Sequence, residues 1–111
     1  MDIFPSTGGA YIPIIVRPNL DGVQAIFRFT NGYGASVVRF SGSYGVELAI
    51  AKFNSESLDD WDFVCNTGID DGSGIVGWLT PDNLIGILCT IECFPDILSG
   101  IQPVVSQEIT E

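Results

Sequence analysis

The sequence predicts a small α+β domain, in which an antiparallel sheet of three or four strands carries one C-terminal helix. Residues 25–66 alternate β-rich runs with turn residues, and the segment after Thr80 repeats apolar residues at helical spacing. The length of 111 residues fits a single domain. The expected parts are an N-terminal arm (1–21), a β-meander (25–66), a helix (80–94) and a C-terminal tail (96–111).

A β-hairpin is the clearest local prediction. The β-rich runs Ala25–Thr30 and Ala35–Phe40 flank Asn31-Gly32, a pair that favours a tight turn because both residues tolerate positive φ. A loop of either two or four residues gives the same strand parity. We therefore expect one face to meet the core with Ala25, Phe27, Phe29, Ser36, Val38 and Phe40.

Two further strands and an edge segment complete the predicted sheet. Val46, Leu48 and Ile50 alternate with smaller or charged residues, as a half-buried third strand would. Trp61–Asn66 is a short β-rich run and is the expected fourth strand. The arm is expected to be irregular, and Pro13 restricts a strand at Tyr11–Val16 to the sheet edge.

The predicted helix has a defined start and an apolar stripe. Thr80 is a good N-cap, Pro81 suits the first helical position, and Asp82 lies near the positive end of the helix dipole. Leu84, Ile87, Leu88 and Ile91 form the stripe, and the expected common core is Phe27, Phe29, Val38, Phe40, Leu84 and Leu88. The opposite face is small and weakly polar, so a partner subunit or the C-terminal arm is expected to cover it.

The composition argues against an enzyme and against a bound cofactor. Histidine is absent, which removes Ser-His-Asp and Cys-His catalysis within one chain. The three cysteines, Cys65, Cys89 and Cys93, are too few for a four-cysteine zinc site, and we expect no metal. They are interpreted as buried or half-buried small residues, with a metal pair at Cys89 and Cys93 as the alternative.

The charge is divided unequally along the chain. Residues 1–52 hold three acids and four bases, a net +1, whereas residues 53–111 hold eleven acids and no base, a net −11. Such a balance favours a basic protein partner over direct binding to nucleic acid or an anionic membrane. The candidate partner-binding residues are Glu56, Asp59, Asp60, Asp62, Asp70 and Asp71. A merely solvated loop is the alternative interpretation of this cluster.

Three motifs resemble a group of short bacteriophage proteins of unknown function, many from actinobacterial phages. They are F-T-N-G-Y-G-A-S-V-V-R at Phe29–Arg39, S-Y-G at Ser43–Gly45 and E-L-A-I at Glu47–Ile50. A weaker likeness follows at Gly77–Leu84, and Val46 departs from the group by replacing a second glycine. The resemblance implies a phage or prophage origin and no particular chemistry.

These observations lead to two expected functions. The first is a phage-encoded acidic interaction module in the host cytoplasm, acting as an inhibitor of a host defence or nucleic-acid-handling protein, by DNA mimicry as anti-CRISPR proteins do. The second is a structural or self-assembling phage protein without inhibitory activity. The absence of an apolar N-terminal leader supports the expected cytoplasmic location.

Overall fold

A computed structural model describes residues 7, 9–43, 45–65 and 74–94 of the chain. These residues form an antiparallel sheet and one helix, so the predicted α+β class with a C-terminal helix is confirmed. The strand count is higher than predicted. The elements are β1 (Ile15–Asn19), β2 (Gly22–Arg28), β3 (Tyr33–Arg39), β4 (Glu47–Phe53), β5 (Trp61–Phe63), β6 (Ile75–Val76) and α1 (Pro81–Glu92).

The strands follow one another across the sheet in chain order. β1 to β5 lie in the order β1-β2-β3-β4-β5, and β6 also pairs with β4. β5 lies opposite Ala51–Phe53, and β6 lies opposite Leu48 and Ala49. The meander arises because each connection is short enough to return the chain to the neighbouring position.

The prediction of which hairpin side chains share a face of the sheet is wrong. The N–H of Phe29 donates to the carbonyl of Tyr33 at 2.8 Å, so the loop is the three residues Thr30 to Gly32, and Gly32 has a φ of +90°. Phe27 therefore faces Ala35, and an odd loop length moves every β3 side chain to the other face. Ala35 and Val37 join the core, whereas Val38 and Phe40 are half-buried and lie outside it.

The core lies between the sheet and the helix. Phe27, Leu84 and Leu88 belong to it as predicted, and Phe29 packs at its margin. The fully enclosed residues of this face are Ala25, Phe27, Tyr33, Ala35, Val37, Leu48, Ile50, Leu84, Leu88 and Ile91. The other face has a smaller cluster of Ile26, Ala51 and Phe53, with Leu58 and Trp61 against it.

The edge segment expected within the arm is an edge strand in the structure, but β1 covers residues 15–19 instead of Tyr11–Val16. This strand lies later in the chain than the predicted edge segment, and it joins β2 through a turn at Leu20 and Asp21. Leu20 has a φ of +54°, a strained conformation for a residue with a branched side chain. The N–H of Ser41 donates to Asp21 Oδ1 at 2.9 Å. Hydrogen bonds from Ser41 lower the pKa of Asp21.

The helix begins where the sequence predicts. The N–H of Asn83 donates to Thr80 Oγ1 at 3.2 Å, so Thr80 is the N-cap and Pro81 is the first helical residue. At the other end, Tyr11 Oη donates to Glu92 Oε1 at 2.9 Å and ties the segment before β1 to the helix. Burial and the Glu92 carboxylate raise the pKa of Tyr11.

Asn31 joins the hairpin loop to the end of the helix. Its Nδ2 donates to the carbonyls of Ile91 at 2.9 Å and of Glu92 and Phe94 at 3.1 Å. Its Oδ1 accepts from the N–H of Tyr33 at 3.0 Å. Because the last helical carbonyls have no partner within a helix, this buried amide acts as a cap from a distant turn.

The interpretation of the cysteines as buried or half-buried is wrong. Cys65, Cys89 and Cys93 are free thiols with exposed side chains. Cys89 and Cys93 lie on the helix face that points away from the sheet, because Leu84, Leu88 and Ile91 occupy the buried face. The C-terminal tail proposed to cover that face, residues 96–111, lies outside the described residues.

Candidate functional site

The acidic loop, residues 54–62, connects β4 to β5 and includes the first residues of β5. Four of the six predicted partner-binding residues are in it, and all four are exposed: Glu56, Asp59, Asp60 and Asp62. The other two, Asp70 and Asp71, lie outside the described residues. The exposure agrees with both interpretations of the segment, so the geometry of the carboxylates becomes the useful evidence.

The acidic loop is anchored at both its backbone and its apolar side chains. The N–H of Asn54 donates to the carbonyl of Asp60 at 2.9 Å and closes the loop. The hydroxyls of Ser55 and Ser57 each accept a backbone N–H at 3.2 Å from a residue two positions ahead. Leu58 packs on the smaller apolar cluster. The carboxylates are therefore presented from a folded loop.

One pair of carboxylates lies beside Asn54. Its Nδ2 is 3.4 Å from Asp60 Oδ1 and 3.3 Å from Asp62 Oδ2, two long hydrogen bonds. The strand register places Asp62 opposite Lys52. Within the described ranges, no ion pair joins Asp60 or Asp62 to a basic side chain. These two negative charges are close together and open to solvent.

Asp59 belongs to a polar chain across the sheet. Arg17 Nη2 lies 2.5 Å from Asp59 Oδ1, Arg17 Nε donates to Gln24 Oε1 at 2.8 Å, and Gln24 Nε2 donates to Ser36 Oγ at 2.8 Å. Strands β1, β2 and β3 are thereby tied to the acidic loop. The sequence did not identify Arg17 as a partner of the acidic loop. The sheet face on which Arg17 lies is known only once β1 and its pairing are identified.

An open groove of about 810 Å³ lies between the β2–β3 loop and the acidic loop. Arg28 lies in it, with its guanidinium carbon 4.9 Å from the centroid of the Phe53 ring. Apart from Arg28 and Glu56 its lining is uncharged, comprising Ile14, Phe29, Thr30, Gly32, Phe53, Asn54, Ser55 and Leu58. The groove thus combines apolar walls with one charge of each sign.

Exposed apolar side chains follow the N-terminal edge of the sheet. Five lie on or beside β1: Ile12, Ile14, Ile15, Val16 and Leu20. Trp78, which lies between β6 and the helix, is also exposed (74%) and has a φ of +56°. An apolar row on an edge strand is a surface that other strands can pair with.

No family model, no curated protein and no solved structure matches the chain. In the part of the chain that the structure describes, no helix is long and apolar enough to cross a membrane. Those same residues bring together no three cysteine or carboxylate side chains that would hold a metal ion.

Proposed function

We propose that this protein is an acidic protein–protein interaction module whose acidic loop binds a basic surface of another protein. The observation that carries the proposal is the exposed pair of carboxylates, Asp60 and Asp62, which both lie beside the Asn54 amide. Two carboxylates kept close together repel each other, and a cationic partner relieves that repulsion.

The surroundings of the loop support a binding role over simple solubility. A solvating loop needs no internal order, whereas this one has a backbone closure at Asn54 and an apolar anchor at Leu58. Ordered carboxylates lose less conformational entropy on binding than freely moving ones. In its sharper form, the proposal makes the module a mimic of nucleic acid that inhibits a host defence or nucleic-acid-handling protein, and the phage-like motifs favour this form.

The test replaces three carboxylates of the acidic loop by amides of the same size, which for Asp59 also removes the ion pair with Arg17. The triple variant Asp59→Asn, Asp60→Asn and Asp62→Asn is used beside the wild-type protein to capture proteins from bacterial lysate. Affinity for each captured protein is then measured at 0.05 M and 0.2 M salt and in competition with duplex DNA. We expect a partner that the triple variant loses, whose affinity falls as salt screens the charges and which DNA displaces.

The matched control removes three charges elsewhere. Asp21→Asn, Asp82→Asn and Glu92→Gln change exposed acids outside the acidic loop by the same net amount. This control should keep the partner. Equal loss in both triple variants would show a non-specific charge effect and contradict the proposal. Retention by both, without salt dependence, would contradict it as well.

Self-assembly is the second candidate, and the apolar row on β1 favours it. A lysine on an edge strand blocks strand pairing at little cost to the fold. If β1 pairs with a second copy, the wild-type protein should dimerise with rising concentration in sedimentation equilibrium, and Val16→Lys should remain monomeric. A monomeric wild-type protein over the same range would exclude this candidate.

A further inference from the structure

Arg28 and Arg17 lie on neighbouring strands but have different surroundings. Arg17 is neutralised by Asp59. Within the described residues Arg28 has no carboxylate partner, and its guanidinium lies over the face of the Phe53 ring. Stacking on an aromatic ring fixes the guanidinium plane while leaving its N–H donors available. The groove therefore contains a positioned cation that no carboxylate of the described residues neutralises.

The rest of the groove fits the apolar part of a small ligand. Its volume of about 810 Å³ lies in the range of roughly 300–1,000 Å³ that small-molecule sites occupy. Ile14, which is 57% exposed, and the half-buried Leu58 form parts of its walls. Burial of these side chains against a ligand would remove apolar surface from water.

Glu56 restricts the charge of such a ligand. It lines the same groove as Arg28, and no ion pair joins the two side chains. An anion that reaches Arg28 therefore enters the field of Glu56 as well. A singly charged carboxylate incurs less repulsion there than a doubly charged phosphate monoester, since the Coulomb energy is proportional to the product of the charges.

We propose that the groove between the β2–β3 loop and the acidic loop binds a small apolar carboxylate. The guanidinium of Arg28 pairs with the carboxylate, and the hydrocarbon part lies against Ile14, Phe53 and Leu58. This site is separate from the proposed contact of Asp60 and Asp62 with a basic protein. A result that contradicts one of the two proposals therefore does not contradict the other.

The test uses three naphthalene probes of one shape and different charge: 2-naphthoate, 2-naphthylmethanol and 2-naphthyl phosphate. Their affinities are measured at pH 7.5 and 0.1 M salt by amide chemical-shift titration, which also locates the probe. We expect 2-naphthoate to bind about tenfold more tightly than the neutral alcohol, as a charge-assisted pair with arginine provides. The shifts should concentrate at residues 28–32 and 53–58.

Three variants separate the charge contribution from apolar contact. Arg28→Gln should bring 2-naphthoate to the affinity of the alcohol, and Arg28→Lys should keep part of the difference. Glu56→Gln, on an exposed side chain, should strengthen binding of the phosphate more than that of the carboxylate. Arg39→Gln is the matched control, because the register places Arg39 about 17 Å further along the hairpin.

Three results would contradict the assignment. If wild-type protein binds the carboxylate and the alcohol equally, the groove provides apolar contact only. If neither probe shifts residues 28–32 and 53–58, the groove is no binding site for this class. The Glu56→Gln comparison tests the proposal even if the Arg28 variants unfold, because unchanged phosphate affinity would also contradict the proposed role of the charges.

Discussion

The two faces of the sheet are built on different physical principles. The helix face is enclosed and apolar, and it brings Phe27 from β2 against Leu84 and Leu88 of the helix. The opposite face carries a smaller apolar cluster, the polar chain from Ser36 to Asp59, and the groove with Arg28. We infer that the first face provides most of the stability and that the second is free to carry recognition.

The largest expected effect tests the helix face. Phe27→Ala removes a ring with 1% exposure and should lower the free energy of unfolding by about 3–5 kcal/mol. Val38→Ala is a smaller deletion on the other face, where the side chain is half-buried, and it should cost less than about 1.5 kcal/mol. Denaturant melts of both variants check the comparison, and equal losses would contradict it.

The next effect concerns the contact between the hairpin and the helix end. Asn31→Ala removes the amide that reaches the carbonyls of Ile91, Glu92 and Phe94 and leaves them without this donor. We expect a loss of about 1–3 kcal/mol, the usual cost of unsatisfied buried polar groups. Asn31→Asp should be at least as harmful, since a carboxylate accepts and does not donate. A loss below about 0.5 kcal/mol would show that water replaces the amide without cost.

A smaller effect is expected from the ion pair on the opposite face. Arg17→Gln breaks the pair with Asp59, whose side chain is 71% exposed. Surface pairs of this kind contribute about 0–1 kcal/mol. The loss should shrink at 1 M salt, and a denaturant melt at low and high salt measures it. A salt-independent loss above about 2 kcal/mol would mean that the polar chain stabilises the sheet as the core does.

The smallest effect at neutral pH is expected at Tyr11. Burial and Glu92 raise its pKa in the folded protein above the ordinary value of 10.0. The folded state therefore holds the phenol proton more tightly, so this stabilisation is full below pH 10 and is lost as the pH rises through the folded pKa. Burial also raises the pKa of Tyr33. Tyr11→Phe should reduce the alkaline loss of stability without abolishing it.

The measurement for Tyr11 is the free energy of unfolding between pH 8 and pH 12, with Tyr33→Phe as the companion variant. At pH 7 both phenols are protonated, so the change in the free energy of unfolding of each variant reports only the lost packing and hydrogen bonding. An identical pH dependence in wild-type protein and in Tyr11→Phe would show that the contact with Glu92 does not influence the phenol.

Local sequence determined the elements whose signals lie within a few residues of one another. The start of the helix was predictable because Thr80, Pro81 and Asp82 act on the adjacent backbone. The hairpin was predictable from Asn31-Gly32, and the acidic loop was predictable as exposed because four carboxylates cannot be desolvated cheaply without partners. β6, with two residues, is too short to give a periodic signal.

Tertiary structure alone decided which faces these elements present and which distant groups meet. A loop of three residues, where the sequence predicted two or four, exchanged the faces of β3. Asn31 donates to the carbonyl of Ile91, 60 residues further along the chain, and Arg17 pairs with Asp59, 42 residues further along. Such contacts depend on how the whole chain packs, because no local property of either partner specifies the other.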